Sequence, residues 1–211
     1  MMEHHYICIE GNIGSGKTTL CNMLAQNWPA RLVLEAFADN PFLPQFYRDP
    51  DRYAFSVELF FMAERYKQLQ DEIVRMELFD RLIISDYLFE KTRIFAHRNL
   101  NENEFMLFRR LYDMLYLHIP KPDKILYIHR PVDVLLDQIA KRGRSFEQHI
   151  KAEYLLSIQD AYFRYFKESE NLPVVIAHLG DKSFETDNIL LETLKNLIES
   201  PATKKIKHVA L

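Results

Sequence analysis

The chain has 211 residues, 48% hydrophobic and 27% charged, enough for one substantial core. A net charge of -3 leaves no basic excess to neutralise a phosphate backbone, which excludes a nucleic-acid polymer as the default partner. No apolar run reaches transmembrane length, and Met1-Met2-Glu3-His4-His5 lacks the plan of a signal peptide; a cytoplasmic protein with no membrane partner is expected. Cys8 and Cys21 suit small core positions better than a disulfide framework or a metal site.

The alternation His5-Tyr6-Ile7-Cys8-Ile9 predicts a strand, followed by Glu10-Gly11-Asn12-Ile13-Gly14-Ser15-Gly16-Lys17-Thr18-Thr19. Gly11, Gly16, Lys17 and Thr18 fit G-x-x-x-x-G-K-[ST], the spacing of a phosphate-cradling loop. Glycines let successive N–H groups turn onto an anion without a Cβ in the way, and the next helix presents its positive dipole end. In such loops the lysine reaches the β- and γ-phosphates and the hydroxyl ligates Mg²⁺. Residues 11–19 are therefore the expected binding segment for a nucleoside triphosphate.

A helix from about Lys17 to Asn27 stops before Pro29, and Leu32-Val33-Leu34 reads as a buried strand ending at Glu35. An acid at the carboxyl end of a strand sits where parallel α/β sheets place their ligands. Asn40 to Pro44 is a turn into a short helix through Tyr47. From Asp51 to about Leu78, Phe55, Leu59, Met62, Tyr66 and Leu69 form one helical stripe. Glu58 and Arg65 share another face two turns apart, although for each alone a solvated position is the better expectation. Arg81 to Asp86 is a strand again ending in an acid; Asp86 reads equally as a Mg²⁺ ligand opposite Thr18 or as a helix cap.

Helical stretches at Lys91–His97 and Glu102–His118 follow, the second apolar enough to pack on the body or on a twin subunit. Lys124 to His129 is the next strand, and the helix after Pro131 breaks at Lys141-Arg142-Gly143-Arg144. Three cations around a glycine make either a phosphate-clamping lid, about 141–149, or a solvated helix end. A helix at Ile150–Glu168, a fifth strand at Val174–Ala177 and a helix near Thr186–Glu199 complete a domain of residues 1–200. The polar segment 201–211 reads as a disordered tail. The predicted fold is α/β: a phosphate-loop NTPase-type doubly wound parallel sheet of five strands with flanking helices and a small lid.

Taken together, these motifs resemble the deoxynucleoside kinases over roughly residues 5–178. The phosphate loop is similar to that family's own, and Glu35-Ala36-Phe37 stands where the family has a catalytic Glu commonly followed by Pro and Val. Asn40-Pro41-Phe42-Leu43 through Phe46-Tyr47, and Tyr53 to Tyr66, resemble bacterial purine-type members. Arg142-Gly143-Arg144-Ser145-Phe146-Glu147-Gln148 matches the spacing R-G-R-x-x-E.

The resemblance implies transfer of the γ-phosphate of ATP, with Mg²⁺, to the 5′-hydroxyl of a deoxynucleoside, purines favoured, by a homodimer. Glu35 is then the base, while Lys17, Arg142 and Arg144 spread the charge of the transferred group. Tyr47 and Glu147 meet the 3′-hydroxyl, Phe95 stacks on the base, and Arg65 lies beside it. Two departures stand out. Glu58 replaces a Gln; an ionised carboxylate only accepts, which suits guanine, whereas protonation or pairing with Arg65 relaxes that preference. Ser85-Asp86-Tyr87 replaces an acid-Arg-Ser triplet, so the arginine is lost, with Arg81 and Arg93 as nearby candidates to substitute for it. The rival readings are a nucleoside monophosphate kinase of thymidylate type and a nucleotide-binding regulator without catalysis. A GTPase is disfavoured by the absence of N-K-x-D.

Overall fold

Alternation along the apolar strands decides how the chain is layered. In β1 (Tyr6–Gly11) Ile7 and Ile9 point to one side and Cys8 to the other; in β4 (Lys124–His129) Leu126 and Ile128 oppose Ile125 and Tyr127. Both faces are thus apolar, as a parallel sheet covered on both sides requires. The computed structural model describes residues 5–35, 40–72, 82–169, 172–203 and 206–211.

The sheet runs β2 (Ala30–Val33), β3 (Leu82–Ser85), β1, β4, β5 (Val174–His178), β6 (Lys207–Ala210), with every pairing parallel. It has six strands, not the predicted five. The sixth comes from the segment read as a disordered tail. Lys207–Ala210 pairs with Val175–His178, and Val209 and Leu211 pack against the core. The lysines that gave the segment its polar look did not reveal the short alternation that lets it close the sheet edge.

One face is covered by α1 (Lys17–Asn27) and α8 (Asn188–Glu199), whose Leu20, Leu24, Leu191 and Leu194 meet Ile7, Ile9 and Leu126. The other face is covered by α3 (Pro50–Glu72), α4 (Lys91–Asn99), α5 (Glu102–Tyr116) and α7 (Ala152–Glu168). The short α2 (Leu43–Phe46) packs on α3, and α6 (Val132–Arg142) leads into a short turn at Ser145–Glu147. The predicted stripe of α3 faces inward as expected, with Met62 and Leu69 buried; the predicted extension of that helix beyond Glu72 lies outside the described residues. Asn101 and Glu104 form a reciprocal capping box at the start of α5. Cys8 and Cys21 are buried free thiols. Among the described residues no helix is long and apolar enough to cross a membrane.

Candidate active site

The loop between β1 and α1 folds tightly because its glycines leave room for other backbones. A Cβ on Gly11 would stand 2.7 Å from the carbonyl oxygen of Ile128, and one on Gly14, at φ +81°, 2.8 Å from that of Leu135. Asn12 is buried behind the loop: its amide donates to the Leu155 carbonyl (2.8 Å) and its side-chain oxygen accepts from Ile13 N–H. Its side chain thus ties the loop to α7 instead of facing a ligand. Gly14 through Thr19 line a cleft completed by Arg130, Lys141, Arg142, Arg144 and Phe184. Arg130, which sequence reasoning missed, bonds the carbonyls of Ser15, Gly180 and Lys182, joining the phosphate loop to the segment after β5.

A second cavity opens from the same loop. It is lined by Ile13, Lys17, Thr18, Glu35, Tyr47, Glu58, Arg65, Asp86, Phe95, Arg142, Arg144 and Glu147, so all the predicted site residues outside the loop converge there. Lys17 borders both spaces; burial, and then the neighbouring charge of Lys91, lower its pKa to about 8.

The carboxyl ends of β2 and β3 supply the acids. The Thr18 hydroxyl donates to Asp86 Oδ2, and Asp86 Oδ1 accepts from the backbone N–H of Glu35 (2.7 Å). Asp86 therefore faces the phosphate loop and fixes the backbone of Glu35. Ser85 turns away, its hydroxyl bonded to Tyr6 and to the Tyr87 carbonyl, and buried Tyr87 reaches Gln68. Arg93 does not replace the missing arginine, since it lies over the rings of Tyr112 and Tyr165; Arg81 lies outside the described residues.

The cations come instead from α3 and α4. Lys91 Nζ sits 2.7 Å from Glu35 Oε2, and Arg65 reaches Oε1 through Nε (2.8 Å) and Nη2 (2.5 Å). Burial pushes the Glu35 carboxyl up, but Lys91 and Arg65 outweigh it and hold its pKa well below the usual carboxylate range. Arg65 also donates to Thr92 Oγ1 (2.8 Å). Lys91 is only 6% exposed, yet in sequence it reads as an ordinary helix-start cation. Its turn is held by buried Glu10, which accepts from Gly11 N–H (2.9 Å) and Leu88 N–H (2.8 Å).

Glu58 and Arg65 are 2% and 4% exposed, so the solvated positions expected of each alone are corrected. They are buried because their face of α3 looks across the cavity at α4 and α7. Asn99 Nδ2 donates to Glu58 Oε1 (2.7 Å) and approaches the Tyr154 hydroxyl (3.2 Å). Phe95 borders the cavity edge-on to Tyr162, and Phe61 lies beneath Arg65. At the lid, Glu147 pairs with Arg142 and with Arg144 (3.2 Å), while Tyr47 stacks on Phe146. Gly143, in the left-handed region at φ 71°, ends α6 and turns the chain into this segment.

A phosphate loop opening onto a cavity that holds a carboxylate between two cations and is lined by Arg142 and Arg144 defines a phosphotransferase of the phosphate-loop class. A sequence model for the deoxynucleoside kinases matches residues 7–200, and the chain belongs to that family. It is accordingly a phosphotransferase acting on deoxynucleosides. It is 39% identical over 157 residues to a deoxyguanosine kinase of Bacillus subtilis, covering 74% of this chain and 76% of that protein. A deoxyadenosine kinase of Lactobacillus acidophilus is 34% identical over 208 residues, covering 92% and 94%. In three dimensions the chain is similar to deoxyadenosine kinase from M. mycoides with bound dATP, with a TM-score of 0.77, 24% identity and coverage of 93% and 100%; that likeness concerns the fold.

Proposed function

We propose that the chain transfers the γ-phosphate of ATP to the 5′-hydroxyl of a purine deoxynucleoside, with Glu35 as the proton acceptor. The observation that carries this reading is the Glu35 carboxylate, held by Lys91 and Arg65 in the cavity that Lys17 and Thr18 border. The 5′-oxygen attacks the γ-phosphorus, the bond to the β-phosphate oxygen breaks, ADP leaves, and the hydroxyl proton passes to Glu35. A carboxylate of lowered pKa accepts that proton late, which suits a loose transition state that needs positioning more than a strong base. Lys17, Arg142 and Arg144 spread the charge on the transferred group. The phosphate-loop backbone holds the triphosphate, Tyr47 and Glu147 take the sugar, and Phe95, Arg65 and Glu58 take the base.

The Thr18 hydroxyl beside the Asp86 carboxylate is an oxygen donor pair of the kind a hard cation takes, and these residues would hold Mg²⁺. When bound, the ion neutralises charge on the β- and γ-oxygens. The purine preference is supported by the deoxyguanosine and deoxyadenosine kinases among the relatives. A cytoplasmic homodimer completes the reading; Met106, Leu107, Met114 and Leu117, exposed in and just after α5, are apolar surface available to a second copy.

The test is ADP release measured across deoxynucleosides, ribonucleosides and nucleoside monophosphates. The expected result is turnover of purine deoxynucleosides above all others. A monophosphate turned over faster than any nucleoside would overturn the assignment.

A further inference from the structure

Glu58 is a buried carboxylate whose two oxygens are treated differently. Oε1 accepts from Asn99 Nδ2 at 2.7 Å, while Oε2 is buried and has no hydrogen-bond partner among the described residues. Arg65, two turns further along α3, does not neutralise it by a direct bond; its guanidinium donates to Glu35 and Thr92. A buried acceptor without a partner is costly unless a ligand supplies a donor. The groups lining the same cavity include the aromatic ring of Phe95, a surface on which a flat base can stack.

We propose that Glu58, oriented by Asn99, selects guanine over adenine by accepting the ring N1–H of guanine at Oε2. This rests on the deoxynucleoside kinase reading and names the base that the site takes. Guanine presents N1–H and the 2-amino group side by side, two donors for a group that only accepts; its O6 is an acceptor suited to Arg65 in the same cavity. Adenine presents N1 as an acceptor, which an ionised carboxylate repels. A site built to receive a hydrogen-bond donor strongly rejects the analogue that lacks it.

The neutral acid has a different pattern. A protonated Glu58 offers one O–H donor and one acceptor, which matches adenine N1 and N6. Burial raises the Glu58 pKa to about 7, against the Asn99 hydrogen bond and the charge of Arg65. The other groups acting on it are Glu35, which raises it further, and Lys91, which lowers it. Tyr47 and Tyr154 lie close enough to feel the Glu58 charge, and burial keeps both neutral. Guanine selection therefore strengthens as pH rises through about 7 and weakens below it.

The experiment measures kcat/KM for deoxyguanosine, deoxyinosine and deoxyadenosine from pH 6 to pH 8.5, in the wild type and in Glu58→Gln and Asn99→Ala. Taking each substrate's ratio to deoxyadenosine cancels pH effects common to all three. The wild type is expected to favour deoxyguanosine by at least about tenfold at pH 8, with the ratio falling towards pH 6. Deoxyinosine, which keeps N1–H without the 2-amino group, follows the same pH trend. Glu58→Gln, whose amide both donates and accepts, lowers the ratio about tenfold or more and flattens its pH dependence. Asn99→Ala removes a bond that favours the ionised form, so the midpoint moves to higher pH while the KM for ATP is unchanged.

The wild-type profile stands alone should a variant fail to fold. Equal use of the two purines at pH 8, a ratio indifferent to pH, or a Glu58→Gln ratio like the wild type overturns the inference and leaves the kinase reading intact. If the wild type phosphorylates no deoxynucleoside, the kinase reading falls and this inference falls with it.

Discussion

Lys91→Met separates the charge holding Glu35 from the shape of the site, because Met keeps much of the lysine stem and removes only the ammonium. The lost bond is a charge-assisted contact of 2.7 Å between side chains that are 7% and 15% exposed, so water replaces it poorly. A hydrogen bond between charged groups contributes about 1.5–3 kcal/mol net, and Arg65 stays on the other oxygen, so the whole penalty of an unpaired buried charge is not incurred. That range predicts a drop in kcat/KM of about ten- to a hundred-fold, since 1.36 kcal/mol is one factor of ten.

The pH profile identifies the cause. The lowered pKa of Glu35 means its ionised form persists until the pH falls through that low value. Removing Lys91 raises the pKa, so activity is lost at higher pH on the acid side and the acid limb moves upward. ADP release at saturating ATP, measured over the range in which the fold is stable, reads both effects. A variant within twofold of the wild type, with an unmoved acid limb, would refute the assignment of Lys91 as the residue that positions and charges Glu35.

Further predictions concern the groups around it. Glu35→Gln is expected to lose about 10²–10⁴ in kcat while retaining ATP binding by fluorescence titration, the range for removing a proton acceptor; full turnover would remove Glu35 from the chemistry. Asp86→Asn weakens the oxygen pair with Thr18, so the Mg²⁺ concentration giving half-maximal rate should rise several-fold, and an unchanged Mg²⁺ dependence counts against that pair as the metal site. Gly14→Ala places a Cβ 2.8 Å from the Leu135 carbonyl at a positive φ, so calorimetry should show weaker triphosphate binding. At the sheet edge His178 Nε2 lies 2.9 Å from His208 Nδ1, with the His129 ring 4.7 Å away. Burial, and then the neighbouring histidines, lower the pKa of His129 and His178. The unfolded chain therefore takes up protons first, and stability present above about pH 6.5 is lost as the pH falls through the lowered values. Tm should drop between pH 7.5 and 5 from this source, and less in His208→Gln.

The sequence made the apolar strands and the acids at their ends legible, because both follow from local patterns. Ile7, Cys8 and Ile9 alternate, Glu35 and Asp86 follow apolar runs, and both acids border the one cavity. What it concealed depends on partners remote in the chain. Lys91 is a buried ion-pair partner only because α4 starts beside the end of β2; no local pattern distinguishes it from a solvated lysine. Asn99 is similar: it lies beyond the predicted helix end at His97, and only the packing of α3, α4 and α7 brings it to Glu58. The strand β6 was hidden for another reason. An edge strand needs only one paired side, so four residues with a single partly buried Val209 suffice to form it.

The placement of Glu58 and Arg65 on one helix has a consequence for the chemistry. Arg65 holds Glu35 and, under the proposed function, Glu58 meets the base, so one element, α3, carries both a base contact and a group that positions Glu35. A base that seats badly against Glu58 must displace the substrate relative to α3, and the 5′-oxygen is displaced with it relative to Glu35. Effective molarity depends steeply on such displacements, so a mismatched base should reduce kcat as well as raise KM. Deoxyadenosine at pH 8 offers the measurement. A loss confined to KM would mean that the base is read independently of the transfer step, whereas a loss shared with kcat would locate the linkage in α3.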